Sequence, residues 1–108
     1  MTESQVIAVF GALAQPTRLK IVRALVTAGP DGLSAGKLAE SASVSPSNLS
    51  FHLRELERAK LVTSHRQQRS IIYVCLFDTL AGMQTFLMQN CCAGSPRTAA
   101  TGARRVKK

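Results

Sequence analysis

The stretch SVSPSNLSFHLRELERAKLV, residues 43–62, restricts the fold more than any other part of the chain. Ser45 is placed to cap a helix, and Pro46 takes its first position, where a missing N–H costs nothing. Leu49, His52, Leu53 and Leu56 then lie along one face at three- and four-residue steps. After Lys60 the hydrophobic period falls from helical to nearly two, through Leu61–Arg66, the polar Gln67–Ser70, and the β-branched and aromatic run Ile71–Leu76. A helix leading directly into a hairpin with a basic tip leaves few architectures open. The residues upstream decide among them.

Val6, Ile7, Phe10, Leu13 and Ala14 recur at helical spacing, and Pro16 opens a second helix carrying Leu19, Ile21, Val22, Leu25 and Val26. Gly29-Pro30 and the turn Asp31-Gly32 stop it. Ser34 caps a short helix holding Leu38 and Ala39, which ends at Ser41–Ser43. From Asp78, read as an N-cap, a last helix runs to about Asn90 with Leu80, Met83, Phe86 and Leu87 facing inward. Met88 makes that helix apolar over more of its circumference than one small domain needs, so a partner subunit is expected to cover it, with the apolar first helix as the companion surface. The predicted fold is mainly α with a β-hairpin wing: a winged helix-turn-helix, homodimeric through its first and last helices.

The chain of 108 residues is long enough for one core, assigned to residues 1–92. Its net charge of +8 is uneven: Arg97, Arg104, Arg105, Lys107 and Lys108 crowd the end with no acid among them. Residues 93–108 are rich in small side chains and poor in large apolar ones, and are read as a disordered basic tail, either simply solvated or adding non-specific attraction to a polyanion. The N-terminal MTESQVIAVFGALA lacks a basic secretory n-region, and its apolar run is too short for a bilayer, so a cytoplasmic location and no membrane partner are expected. In a reducing compartment three cysteines suggest metal binding or reactivity rather than a disulfide framework.

The hydrogen-bonding side chains suit double-stranded DNA. With Leu49, Leu53 and Leu56 in the core, the opposite face of the 46–58 helix offers Ser47, Asn48, Ser50, Phe51 and Arg54, beside Ser45 at its start. Asn48 can read adenine, Arg54 a guanine edge or a phosphate, and Phe51 a thymine methyl, while the helix amides suit a phosphate. Arg66 and Arg69 at the hairpin tip can enter a minor groove or grip the backbone. Each arginine alone is better read as a solvated surface charge; together with the helix-turn-helix order, DNA is the stronger reading. His52, among leucines, is read as a satisfied half-buried residue, and His65 is assigned nothing.

ALAQPTRLKIVRAL, VSPSNLSFHLRELERAKLV and RQQRSIIYVCLFD, in this order, resemble the ArsR/SmtB metalloregulatory repressors over about residues 4–92. The resemblance implies a homodimeric winged-helix repressor, joined through its first and last helices, that leaves its operator DNA when an inducer binds. Several positions depart from the family. Gln15 stands where Asp is usual, which weakens any polar role there. SAGKLAESASV lacks the Cys-Val-Cys motif of arsenic and cadmium sensors. Leu80, Cys91 and Gly94 fall roughly where the zinc sensors carry two histidines and a glutamate.

What remains is Cys91-Cys92. Soft thiolates without imidazole or carboxylate beside them make a poor zinc site and suit trivalent arsenic or antimony better. The resemblance implies the same inducers, since family members with such a pair after the last helix respond to arsenic. Adjacent helical residues point about 100° apart, but at a fraying helix end beside Ala93-Gly94 the backbone can turn both sulfurs onto one atom. Cys75 is a poor third ligand within one chain, because the helix between it and Cys91 spans roughly 20 Å. Cys75 of a partner subunit comes closer if the last helices cross antiparallel, although its position beside Ile71 and Tyr73 marks the core face. A two-thiolate site would suit methylarsenite, or arsenite or antimonite completed by a small thiol, with no organic cofactor. Sensing of oxidants or reactive sulfur through the same pair is the alternative. An enzyme is not expected: a helix C-terminus tends to raise a thiol pKa and no histidine adjoins the pair as a base. A winged helix used only for protein contacts is a further alternative, marked by the lack of salt-dependent DNA binding.

Overall fold

The structure, a computed structural model, describes residues 1–94. Five helices and a small sheet follow one another as α1 (Glu3–Leu13), α2 (Pro16–Ala28), β1 (Leu33–Ser34), α3 (Ala35–Ala42), α4 (Pro46–Arg58), β2 (Val62–Gln67), β3 (Ser70–Cys75) and α5 (Phe77–Met88). Thr2 starts α1 with a reciprocal cap: its hydroxyl accepts from the Gln5 amide and its own amide donates to the Gln5 side chain. Gln15 Oε1 accepts from the Arg18 amide at 2.9 Å and so caps α2. The weakened polar role expected at Gln15 is thereby corrected, since the longer amide reaches the N-terminal N–H that an aspartate would serve.

The helix-turn-helix pair is α3 and α4. Ser43 takes a left-handed φ of 55°, and the Val44 amide returns to the Ala39 carbonyl, which closes α3 and aims the chain into the next helix. Ser45 caps α4 and Pro46 opens it, as the sequence indicates. Lys60 repeats the device at the end of α4, with φ 65° and the Leu61 amide bonded to the Leu56 carbonyl, so the chain leaves α4 directly into β2.

The β2–β3 hairpin is the wing, in register from Val62 opposite Cys75 to Gln67 opposite Ser70. Gln68 and Arg69 form its two-residue turn, with Gln68 at φ 58°. Sequence reasoning missed β1, which pairs antiparallel with β3 and completes a sheet in the order β1-β3-β2. Gly32 makes this pairing possible: it sits at φ +68°, and a Cβ there would collide with the Tyr73 carbonyl oxygen. Gly32→Ala is therefore expected to cost about 2 kcal/mol or more through left-handed strain and a displaced strand. A fall in Tm of roughly 10 °C, read by circular dichroism, checks it.

The core collects Ile21, Val22 and Leu25 of α2, Leu38 and Ala42 of α3, Leu49, Leu53 and Leu56 of α4, with Val9 and Ala12 of α1 closing it above and Leu61, Val62 and Cys75 closing it from the wing. The outer helices differ from expectation in four ways. In α1 the buried stripe is Val6, Val9 and Ala12, while Ile7 and Phe10 face outward. In α5 only Leu80 and Met83 pack on the core; Leu87, expected inside, is exposed, and no α5 residue is fully buried. Asp78 is not the cap: α5 begins at Phe77 without a side-chain cap, and Thr79 Oγ1 donates to the Lys60 carbonyl at 2.6 Å instead. Asp78 lies in the first turn, where its charge suits the helix dipole. The helix also ends at Met88 rather than Asn90. The tail assigned to residues 93–108 lies outside the described residues from position 95 onward.

Candidate nucleic-acid interface and paired thiols

The leucine face of α4 settles where its other side chains go. With Leu49, Leu53 and Leu56 buried, Ser47, Asn48, Ser50, Phe51 and Arg54 are all exposed together on the opposite side. Ser45 is exposed as well, with its hydroxyl committed to the Asn48 amide at 3.4 Å. The helix from Pro46 to Arg54 holds no acid; the first is Glu55, which is paired with Arg58 at 3.3 Å. The positive end of the helix dipole is therefore unopposed by local carboxylates. Arg66 on β2, opposite Ile71, and Arg69 in the hairpin turn are also exposed and put positive charge at the wing tip.

Sequence reasoning missed Arg18. From the first turn of α2, its Nε donates to His52 Nδ1 at 3.1 Å, and its guanidinium carbon lies 5.6 Å from the centroid of the Phe51 ring. The Phe51 and His52 rings meet edge to face at 5.5 Å. His52 is half-buried and satisfied, as expected, and because its Nδ1 accepts, the neutral ring carries its proton on Nε2. Burial, and then the neighbouring Arg18 charge, push its pKa below the usual histidine value. The contact joins residues 34 apart, so no local pattern points to it.

Beyond α5 the chain bends sharply. Asn90, Cys92 and Ala93 all have left-handed φ, at 57°, 59° and 50°, so Cys91–Gly94 form a tight turn rather than a continuation of the helix. That turn brings the two Sγ atoms to 3.5 Å, with Cys91 half-buried and Cys92 exposed. Two bonds of about 2.3 Å from the sulfurs to a single atom can span such a separation. Among the described residues no group of three His, Cys, Asp or Glu side chains converges, so one chain offers this site two sulfurs. Cys75 is sealed in the core at 2 % exposure, and burial pushes its thiol pKa up. It packs as a small apolar residue inside its own subunit, which argues against its serving a partner's site.

A helix-turn-helix followed by a two-stranded wing, with polar and basic side chains gathered on the second helix and the wing tip, defines a winged helix-turn-helix protein. Residues 13–65 match a family model described as a helix-turn-helix domain. The chain is 35 % identical over 83 residues to the transcriptional repressor SdpR of Bacillus subtilis, covering 73 % of this chain and 89 % of that protein. It is 30 % identical to an ArsR-like transcriptional regulator from Rhodococcus sp. RHA1, with a TM-score of 0.73 over 89 % of this chain and 88 % of that one. A homodimeric winged helix-turn-helix DNA-binding domain from Mycobacterium bovis, a possible ArsR-family regulator, shares the fold at 20 % identity, with a TM-score of 0.66 over 96 % and 89 % of the two chains. The chain belongs to the ArsR family of winged helix-turn-helix transcriptional regulators. Its family is one of DNA-binding regulators, not enzymes. None of the described helices is long and apolar enough to cross a membrane.

Proposed function

We propose that this protein is a dimeric operator-binding repressor that lets go of DNA when trivalent arsenic or antimony binds Cys91 and Cys92. The observation that carries the proposal is the 3.5 Å separation of those sulfurs, one short turn beyond the exposed apolar end of α5. Ile7 and Phe10 on α1 and Leu87 and Met88 on α5 are large, apolar and exposed, which supports a subunit interface built from these two helices. The Mycobacterium bovis domain that shares the fold is homodimeric, which is consistent with a dimer.

In this reading α4 lies in the major groove, with Asn48 and Arg54 on base edges and Phe51 against a thymine methyl, while Ser45, Ser47 and Ser50 serve the backbone at its entry. Arg66 and Arg69 hold the flanking phosphates or minor groove. Arg66→Ala with Arg69→Ala is expected to weaken operator and random DNA alike and to reduce the salt slope of binding by about 2, whereas Arg54→Ala should cost about 1–3 kcal/mol on the operator alone. Fluorescence anisotropy across a salt series separates the two outcomes.

Inducer action is linkage. A metalloid bridging the sulfurs fixes the chain beyond α5, and with it the spacing of two α4 helices that must meet half-sites one DNA turn apart. Release by 100-fold needs about 2.7 kcal/mol of difference in inducer affinity between free and DNA-bound protein. Arsenite, methylarsenite, antimonite, zinc and peroxide, each scored by operator release, test the assignment: the first three are expected to act, and zinc is not. The short sulfur separation also favours a second reading, oxidation of the pair, and release by peroxide with no response to arsenicals would replace the first with it.

A further inference from the structure

We infer that Arg18 is a positioning residue for DNA reading: reaching across from α2, it holds Phe51 and His52 together and fixes how α4 presents its exposed phenyl ring. The inference rests on the reading of α4 as the element that meets bases.

Phe51 is 50 % exposed on an otherwise polar face and stands outside the buried core cluster, so the groups beside it at the surface fix how its ring is presented. Arg18 supplies that constraint at two points. Its Nε is anchored on His52 Nδ1 at 3.1 Å, and its guanidinium carbon stands 5.6 Å from the Phe51 centroid, while the two rings brace each other edge to face. Among the described residues Arg18 makes no ion pair; Glu55, which borders the same small cavity beside α1, is taken by Arg58. The guanidinium is thus committed to two aromatic rings of α4 rather than to a carboxylate. Lysine could keep the charge but could not offer a planar group that donates edgewise to an imidazole while covering a phenyl face.

This role differs from the two ordinary ones for such a residue. A phosphate contact weakens all DNA equally and shows in the salt slope. A strut for the fold shows in the melting curve. A positioning residue acts through Phe51, and its effect disappears when Phe51 does.

The test measures operator and random-duplex binding over a salt series for the parent, Arg18→Lys, Phe51→Leu, the double variant, and Arg54→Ala as the control for α4. Arg18→Lys is expected to lower operator affinity about tenfold, to leave random DNA within about twofold and to leave the salt slope unchanged. In the Phe51→Leu background the same change should cost less than about twofold. The inference is overturned if Arg18→Lys binds the operator like the parent, if it weakens both duplexes with a slope reduced by about 1, if its full effect persists without Phe51, or if it no longer melts cooperatively. If Arg54→Ala keeps the full preference for operator, α4 is not the reading element and the inference falls with that reading; a loss there beside an inert Arg18→Lys refutes the inference alone.

Discussion

Cys91→Ser with Cys92→Ser is expected to leave operator affinity within about twofold of the parent and to abolish release by arsenite, methylarsenite and antimonite. Serine replaces a soft, ionisable sulfur with a hydroxyl that neither ionises near neutral pH nor favours a soft acceptor. The fold should not notice, because Cys91 is only half-buried and Cys92 exposed, and neither belongs to the core cluster. Each single variant retains one sulfur but loses the second bond, whose advantage is an effective concentration set by a 3.5 Å separation. A loss of inducer affinity of roughly 100-fold or more is expected from either one. Cys75→Ser has a different signature: a hydroxyl in a site 2 % exposed lowers stability and leaves the inducer dose unchanged. Titration of operator release, with a melt on each variant, distinguishes these outcomes.

The second large effect concerns the subunit surface. Ile7 and Leu87 are 64 % and 57 % exposed, so carboxylates at both positions touch nothing in the subunit's own core. Ile7→Glu with Leu87→Glu should therefore melt cooperatively and yet sediment as a monomer, because burying four charges across a two-fold interface is prohibitive. Operator affinity is expected to fall by about 100-fold or more, since each half-site then binds without the benefit of the other. A variant that remains dimeric by analytical ultracentrifugation would place the interface elsewhere.

Much of the architecture was legible because local chemistry and tertiary role agree. Ser45, Pro46 and the three leucines fix both the span of α4 and which side faces out, so the solvent-facing set was readable residue by residue. The change of period at Lys60 announced the wing. The outer helices were harder. Helices that pack on a core on one side and offer apolar residues to solvent on the other are apolar nearly all round, so periodicity could not tell that Val9 is buried while Phe10 and Leu87 are not. A two-residue strand such as β1 has no period at all, so no pattern in the sequence announces it. The cap at Asp78 failed because Leu76 hydrogen-bonds back to Leu61 and the helix begins two residues earlier than a cap at that carboxylate implies. Arg18 was invisible because its partners lie two helices away. For the thiol pair, sequence supplied the residues and their chemistry; the 3.5 Å separation depends on left-handed φ at Asn90, Cys92 and Ala93, a conformation that asparagine favours but cysteine and alanine do not announce.

Linkage provides the most direct measurement. Methylarsenite affinity is measured by calorimetry on the free protein and on the protein saturated with operator duplex. If Cys91 and Cys92 couple to DNA release, the metalloid binds the operator complex more weakly, by the same factor by which it lowers operator affinity. Equal metalloid affinity with and without the operator would contradict the account, whatever the strength of binding at the sulfurs.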